Sequence, residues 1–457
     1  MLIRLCASYC RVVHLLRAVP TLYAQQAIAV FDAAMQKALA QMLGAVSGAS
    51  EAAAAPAHGA GWCWHAARCR ARGRRAYLSS VLRAGEADGW LACEAMGFDQ
   101  ALQELCARSG LEAAAVRDPV SVRTQRHFSE AVDKHAFASL LAAAPPLDRA
   151  RLLSVSGRGA GAWLGVIPSE VLGYVLTPPE FTVLIKWWCG MEVFDSVFAC
   201  PSCGYAMDRA GYHALTCRHA GSLGVRHNAL REIFLNFLGR AGIKGCMREA
   251  PSLLPGSAAR PADIFVPNFA AAQSACLDFA VTHTQQPNIF ECASVCGGAA
   301  AEQYEIAVKE DKFGAECKAA GLLLVPMVVE VFGRWGERSQ EAFQLIAKAG
   351  ANRASEKVVA AGNHLRRSMS VGLQRLNARI LLSRMDPAAE VFSEPVAMPW
   401  SSDGVLPPSA DPVVETLAAR PPPQDGMVDV VRLSAQCGFL TPAELVGALR
   451  ALAGFVL

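Results

Sequence analysis

The chain carries little net charge for its length, with 43 lysines and arginines against 40 acidic residues and a formal charge of +3. Charged residues make up only 18% of its 457 residues, and aromatic residues 7%. This balance excludes a protein that binds nucleic acid through its overall charge, so any nucleic-acid surface must be local. Apolar residues, at 53%, are numerous enough for roughly two or three domain cores.

Apolar runs of membrane-spanning length are also missing. The longest runs, such as 321–331, fall short of the about 20 residues that a spanning helix needs. Residues 1–19 lack the apolar stretch of a signal peptide, because they contain Arg4, Arg11, His14 and Arg17. We therefore expect a nuclear or cytoplasmic protein that is not secreted and has no membrane partner.

The 16 cysteines are too sparse for a disulfide-stapled scaffold, which favours a reducing compartment. Three of them follow the spacing C-x2-C-x9-H-x3-C together with one histidine, namely Cys200, Cys203, His213 and Cys217. Three thiolates and one imidazole are the ligands of a four-coordinate structural zinc ion. The spacing thus predicts a zinc knuckle; the alternative is a chance spacing of cysteines.

Periodicity and composition predict an α+β (mixed) fold. The predicted segments are a helical region (1–145), a helical linker (146–199), the knuckle (200–225), a mixed core (226–335), a helical extension (336–385), a disordered proline-rich linker (386–425) and short C-terminal helices (426–457). The core is predicted to follow the order α-β-β-β-α-β. Its helices are 226–240 and 299–320, and its strands are 244–250, 262–266, 275–282 and 322–332.

Two aspartates lie in the strand-like runs of this core. Asp263 follows Arg260-Pro-Ala, and Asp278 lies in Cys276-Leu-Asp-Phe-Ala-Val. A carboxylate in such an apolar run is costly unless it is paired or binds a cation. Two carboxylates on neighbouring strands suit a hard divalent ion such as magnesium, and Glu249 is a candidate third oxygen ligand. Each acid on its own is also compatible with an ordinary strand edge or turn.

Lys309 and Lys312 follow on the next predicted helix, three residues apart and hence on one face. A lysine near the ion can orient the attacking water or offset charge on a phosphate in the transition state. For one of the two, a solvated helix face is the simpler interpretation. The sequence does not distinguish which.

These pieces together resemble the C-terminal part of site-specific non-LTR retrotransposon proteins. In that family a reverse transcriptase is followed by a CCHC zinc knuckle and a restriction-like endonuclease of the PD-(D/E)XK class. The matching residues are the knuckle ligands, Arg226-His227-Asn228, Arg260-Pro-Ala-Asp263, Leu277-Asp278-Phe-Ala-Val and Lys309-Glu-Asp-Lys312-Phe.

The resemblance implies roles for the acids and the lysines. It implies that Asp263 and Asp278 are the first and second metal-binding aspartates. It also implies that the catalytic lysine comes from the next helix, as Lys309 or Lys312, and not from the strand. It further implies DNA as a partner, with element RNA as a second candidate. Two departures stand out: Ala262 separates Pro261 from Asp263, and Ala280 stands where many such enzymes have lysine.

Residues 1–145 resemble the helical segment after a reverse-transcriptase palm, on the strength of Cys10–Arg17 and Pro20. The chain contains no Tyr/Phe-x-Asp-Asp motif, so no polymerase activity is expected. The resemblance therefore suggests a fragment or decayed copy of a larger element.

Basic residues predict where nucleic acid would bind. Arg226 and His227 are expected there, and a second surface is predicted from residues that recur at near-helical spacing, namely Arg353, Lys357, Arg366, Arg367, Arg375 and Arg379. A solvated helix face is the alternative. Three hypotheses follow for the whole chain: a magnesium-dependent endonuclease that nicks DNA, a nucleic-acid-binding module with a dead nuclease core, and a purely structural scaffold.

Overall fold

The structure is a computed structural model, and it describes residues 98–117, 125–270 and 273–385. The chain divides into two compact units. Of the described residues, those up to 144 belong to the first unit and those from 145 onward to the second. The predictions for 1–97, for the proline-rich linker and for the C-terminal helices lie outside the described residues.

The described part of the first unit is helical, as predicted. Its helices are α1 (Phe98–Ser109), α2 (Ala113–Arg117) and α3 (Gln125–Ala143). Gly110 ends α1 with a φ of 68°, a conformation that glycine adopts without strain. Within the described part of this unit, the buried side chains of Leu102, Leu105, Val116 and Phe128 form a hydrophobic cluster.

The second unit mixes helices and strands, so the fold is α+β. Its helices are α4 (Pro146–Val155), α5 (Pro178–Trp188), α6 (Tyr212–Thr216), α7 (Ser222–Arg240), α8 (Phe290–Ala293), α9 (Ala299–Tyr304), α10 (Ala315–Ala319), α11 (Glu337–Ala354) and α12 (Val358–Met385). Short 3-10 helices cover Ala160–Gly165 and Arg218–Ala220, and a π-helix, Glu305–Gly314, joins α9 to α10.

Helix α5 begins at a capping box formed by Thr177 and Glu180. Thr177 is the N-cap, and its side chain accepts a hydrogen bond from the Glu180 amide. The Glu180 carboxylate in turn accepts from the Thr177 amide at 2.9 Å. This reciprocal capping box satisfies two amides that the first helical turn leaves without partners.

The described residues contain six strands in two sheets: β1 (Phe198–Ala199), β2 (Ala206–Met207), β3 (Met247–Arg248), β4 (Ile264–Ala270), β5 (Gln273–Thr282) and β6 (Leu323–Glu330). Strands β1 and β2 make a small antiparallel hairpin. The larger sheet has the order β3-β4-β5-β6, in which β5 and β6 are parallel and the other pairs antiparallel. The first predicted strand, 244–250, is only two residues long.

The larger sheet is covered by helices on both faces. Leu277 and Phe279 of β5 pack into a core shared with α7, α11 and α12. Cys276 and Ala280 face the other side, where they pack with Cys317 of α10 and Ala301 of α9. Because side chains alternate along a strand, Asp278 lies on this second face, beneath the helical segment 299–319.

Strand β6 is buried on both of its faces. From Val325 to Glu330 every residue is buried, which is typical of a strand paired in parallel beneath helices. Its register sets Pro326 opposite Asp278.

Candidate functional site

The knuckle is built on the hairpin of β1 and β2. Cys200 follows β1, and its amide donates to the carbonyl of Tyr205 at 2.7 Å. The Gly204 amide donates back to the Cys200 carbonyl at 2.8 Å, and Gly204 has a φ of 75°. This tight turn brings Cys200 and Cys203 to the same side of the hairpin.

Helix α6 supplies the other two ligands. The carboxylate of Asp208 accepts hydrogen bonds from the amides of Tyr212 and His213, at 2.9 and 2.7 Å, and so fixes the start of α6. His213 lies in this helix and Cys217 directly after it. The ligand atoms of all four residues lie within 4.8 Å of one another.

The chemistry of this cluster fits a metal ion. Cys203 Sγ lies 3.2 Å from His213 Nε2, and Cys200 Sγ lies 3.9 Å from Cys217 Sγ. Burial opposes ionisation of Cys200, but hydrogen bonds from the amides of Ser202 and Cys203 and from His213 outweigh it and lower its pKa to about 6. Burial and the neighbouring thiols raise the pKa of Cys203, because successive thiolates repel each other. A cation removes that repulsion, so the cluster can hold a metal such as zinc.

The two predicted aspartates come together at neighbouring strands. Asp263 directly precedes β4, and its amide donates to the carbonyl of Leu277 at 2.9 Å. Its Oδ2 accepts from the amide of Phe279 at 2.6 Å and lies 3.0 Å from Nε2 of His227. Burial opposes ionisation of Asp263, but the bond to His227 outweighs it and lowers the pKa of the carboxyl.

Asp278 is buried beneath the π-helix. Its Oδ1 lies 2.7 Å from Nζ of Lys309. Burial raises the pKa of Asp278 to about 6, with a further contribution from Asp263, although Lys309 counteracts both. The two carboxyl groups therefore interact directly, and they have unequal affinities for a proton.

The two candidate lysines differ in their contacts with the aspartates. Lys309 contacts Asp278, whereas Lys312 is exposed and its Nζ lies 4.6 Å from the centre of the Phe313 ring. Both lie in the π-helix, which has more residues per turn than an α-helix. The spacing of three residues therefore does not bring them to a common partner.

Glu249 is not brought together with the two aspartates as a metal ligand. Its carboxylate is paired with Arg231 at 2.7 Å and with Arg260 at 3.3 Å. Only its backbone reaches the site, because its amide donates to the carbonyl of Asp263. Within the described ranges, the cysteine-histidine cluster is the one group of three or more potential ligands.

Two of the predicted nucleic-acid contacts lie inside the protein. Arg226 is buried, and its guanidinium donates to Asn377 Oδ1 at 2.9 Å and to the Leu215 carbonyl at 3.4 Å. Arg375 is buried as well and donates to the carbonyls of Gly173 and Val175. The expectation that these two arginines line a nucleic-acid surface is corrected, because their charges are used to join segments of the fold.

The remaining basic candidates keep more exposure. Arg366 and Arg367 are half-buried on α12, and Arg353 and Lys357 are exposed. Burial lowers the pKa of Arg366, and the nearby charge of Arg158 lowers it further. Arg379, by contrast, is paired with Glu180 at 2.9 Å.

The contact between His227 and Asp263 was not predicted, since the sequence suggested a nucleic-acid contact for His227. The two residues are 36 positions apart, and neither the helix nor the strand pattern signals their meeting. The one available signal was that His227 lies in the Arg-His-Asn motif that carries the family resemblance, which marks it as a candidate site residue without indicating its partner.

Comparison of the chain with profiles of known families, with curated proteins and with solved structures gave no match. Among the helices of the described ranges, none has the length and apolar character to cross a membrane.

Proposed function

We propose that this chain is a metal-dependent DNA endonuclease joined to a zinc knuckle. The observation that carries the proposal is the group formed by Asp263, Asp278 and Lys309. Two interacting carboxyl groups and one ammonium group meet beside the two central strands of the larger sheet. Such a concentration of perturbed acids is typical of sites that act on charged substrates.

The arrangement of the elements supports the same proposal. Helix α7, strands β3 to β5, the helical segment 299–319 and strand β6 follow one another in the chain. This is the order expected for a restriction-like core of the PD-(D/E)XK class. The proposed acids lie at the start of β4 and within β5, the two central strands of the sheet.

Each side chain has a proposed part in phosphodiester hydrolysis. Asp263 and Asp278 would hold a divalent cation, which we take to be magnesium because both ligands are hard oxygens. A bound magnesium ion supplies Lewis-acid stabilisation of the phosphate and lowers the pKa of water. Lys309 keeps Asp278 partly neutralised and offers a positive charge to a phosphate oxygen.

The knuckle would add nucleic-acid affinity and local stability. A zinc ion at Cys200, Cys203, His213 and Cys217 would hold the β1–β2 hairpin against α6. Helix α7 begins five residues after Cys217, so the same ion would also anchor the helix that carries His227. The proposed partners are DNA and, as a second candidate, element RNA, and a nuclear location follows from them.

A second candidate is a binding module whose nuclease core is inactive. The engagement of Glu249 by two arginines favours it, because this leaves only two carboxylates at the proposed cation site. Under this alternative the knuckle and the arginines of α12 would still bind nucleic acid.

A plasmid-nicking assay separates the two candidates. Full-length protein is incubated with supercoiled plasmid in magnesium or in EDTA, beside Asp278→Asn and the control Asp311→Asn, an exposed acid of the π-helix. The endonuclease proposal expects nicking by the parent and by Asp311→Asn in magnesium only, and none by Asp278→Asn. Equal nicking by Asp278→Asn would refute it, and DNA binding without nicking by the parent would favour the binding module.

A further inference from the structure

His227 lies at the proposed cation site without being one of its ligands. Its Nε2 is 3.0 Å from Oδ2 of Asp263 and 3.2 Å from the carbonyl oxygen of Phe279. Two oxygen acceptors converge on one ring nitrogen. Nε2 therefore carries a proton and donates it in hydrogen bonds, because without a proton its lone pair would face the lone pairs of two oxygen atoms.

The same oxygen of Asp263 receives a second hydrogen bond. The Phe279 amide donates to Oδ2 at 2.6 Å, so a ring N–H and a backbone N–H both end on this one atom. Both of these hydrogen bonds fall on Oδ2, and the Asp263 carboxyl also interacts directly with that of Asp278. The carboxylate plane is thereby held, and Oδ1 is the oxygen that His227 and Phe279 do not engage.

The helix that carries the His227 ring is anchored by the preceding residue. Arg226, the preceding residue of α7, is buried between the Leu215 carbonyl and the side chain of Asn377. This fixes the first turns of α7 against α6 and α12. The side chain of His227 is 30% exposed, and that of Asp263 is 17% exposed, so their contact is only partly screened by water.

We propose that His227 is a positioning residue that orients the Asp263 carboxylate so that Oδ1, together with Asp278, receives a divalent cation. The inference rests on the proposed function, because it assigns the orientation of one of that function's two cation ligands. It differs from the expectation of a direct nucleic-acid contact, since Nε2 already contacts Asp263 and the Phe279 carbonyl, and Nδ1 lies 3.3 Å from Oδ1 of Asn228. Hydrogen-bonded partners of metal ligands typically change metal affinity by about 10- to 100-fold.

Three substitutions at one position test the assignment. His227→Gln places an amide N–H near the former Nε2, whereas His227→Asn is too short for this and His227→Ala has no donor. His127→Ala, an exposed histidine of the other unit, is the matched control. Zinc-loaded full-length proteins are titrated with manganese and followed by electron paramagnetic resonance, with Asp263→Asn defining the signal of this site.

We expect His227→Ala and His227→Asn to weaken manganese binding by about tenfold or more, and His227→Gln to restore most of it. Zinc content and circular dichroism should match the parent in all variants. In the nicking assay the same two variants should need more magnesium for half-maximal rate and approach the parent rate at saturation.

The opposing results are equally specific. Manganese affinity of His227→Ala equal to that of the parent overturns the inference, as does a His227→Gln variant as weak as His227→Ala. A drop in DNA affinity with unchanged manganese affinity also overturns it and restores the nucleic-acid role of the ring. If the parent binds manganese but nicks no DNA, the endonuclease proposal fails while the affinities of the variants still decide this inference. If the parent binds no manganese at this site, both fail.

Discussion

The ammonium group of Lys309 lies 2.7 Å from the carboxylate of Asp278, and the two side chains are only 13% and 11% exposed. The pair joins strand β5 to the π-helix across the second face of the sheet. A buried ion pair of this kind is weak support for stability by itself, but removing one partner leaves an uncompensated charge. Substitution of the two lysines of the π-helix should therefore have different effects, because only Lys309 belongs to the pair.

Lys309→Ala should impair both activity and stability. Asp278 loses the ammonium group that pairs with it, and we expect this loss to lower the free energy of unfolding by about 1–3 kcal/mol. Nicking should fall by about 100-fold, the usual effect of removing one electrostatic interaction with a developing charge. Urea unfolding and plasmid nicking measure the two effects. Lys312→Ala is the matched control, because its exposed side chain predicts a stability change within about 0.5 kcal/mol. Greater loss of nicking in Lys312→Ala than in Lys309→Ala would assign the lysine the other way.

The knuckle predicts a measurable metal content. Atomic absorption on full-length protein should find about one zinc per chain, as four-ligand structural sites bind a single ion. Cys203→Ser should lower this content and reduce the urea midpoint, because zinc binding contributes to folding. Cys292→Ser, an exposed cysteine outside the cluster, should leave both unchanged. A parent protein that folds with no bound metal would contradict the assignment.

Features with a local signature were predictable from the sequence. The Thr177 capping box follows from residues three apart, and the burial of β6 follows from an unbroken apolar run. The gathering of Cys200, Cys203, His213 and Cys217 follows from ligand spacing within one short segment. In the capping box and the knuckle the interacting groups are close in sequence, and in β6 the run of apolar residues itself indicates burial.

Features that depend on distant partners were not predictable. Arg226 meets Asn377 across 151 positions, and charged residues are exposed by default, so its burial has no local signal. The choice between Lys309 and Lys312 depends on a π-helix, whose periodicity differs from the one assumed for an ordinary helix. Glu249 has a φ of 42° and is engaged by Arg231, neither of which its position near a strand end indicates.

Glu305 should make stability depend on pH. It is buried at the start of the π-helix, and burial raises its pKa from 4.5 to about 8, although Arg338 opposes the shift. The folded state therefore holds a proton that the unfolded chain releases, so this contribution is complete below pH 4.5 and lost as pH rises toward 8. Urea unfolding from pH 5 to pH 9 should show a smaller loss of stability in Glu305→Gln than in the parent. Glu302→Gln, an exposed neighbour, is the control. Parallel curves for the parent and Glu305→Gln would show that the carboxyl is ionised in the folded protein.

The arginines of α12 should divide into nucleic-acid contacts and structural contacts. Arg366 and Arg367 are half-buried and keep some exposure, whereas Arg375 is buried against the carbonyls of Gly173 and Val175. If phosphates bind here, the slope of log DNA affinity against log salt concentration should become shallower by about 0.9 for each arginine–phosphate pair that a substitution removes. We therefore expect a slope change of about 2 for Arg366→Ala with Arg367→Ala, and almost none for Arg375→Ala. Arg375→Ala should instead lower the urea midpoint, because the carbonyls of Gly173 and Val175 lose their donor. Fluorescence anisotropy with a labelled duplex at several salt concentrations measures the slopes. An unchanged slope in the double variant would mean that Arg366 and Arg367 face solvent and contact no phosphate. A changed slope in Arg375→Ala would mean that Arg375 does not stay buried when DNA binds.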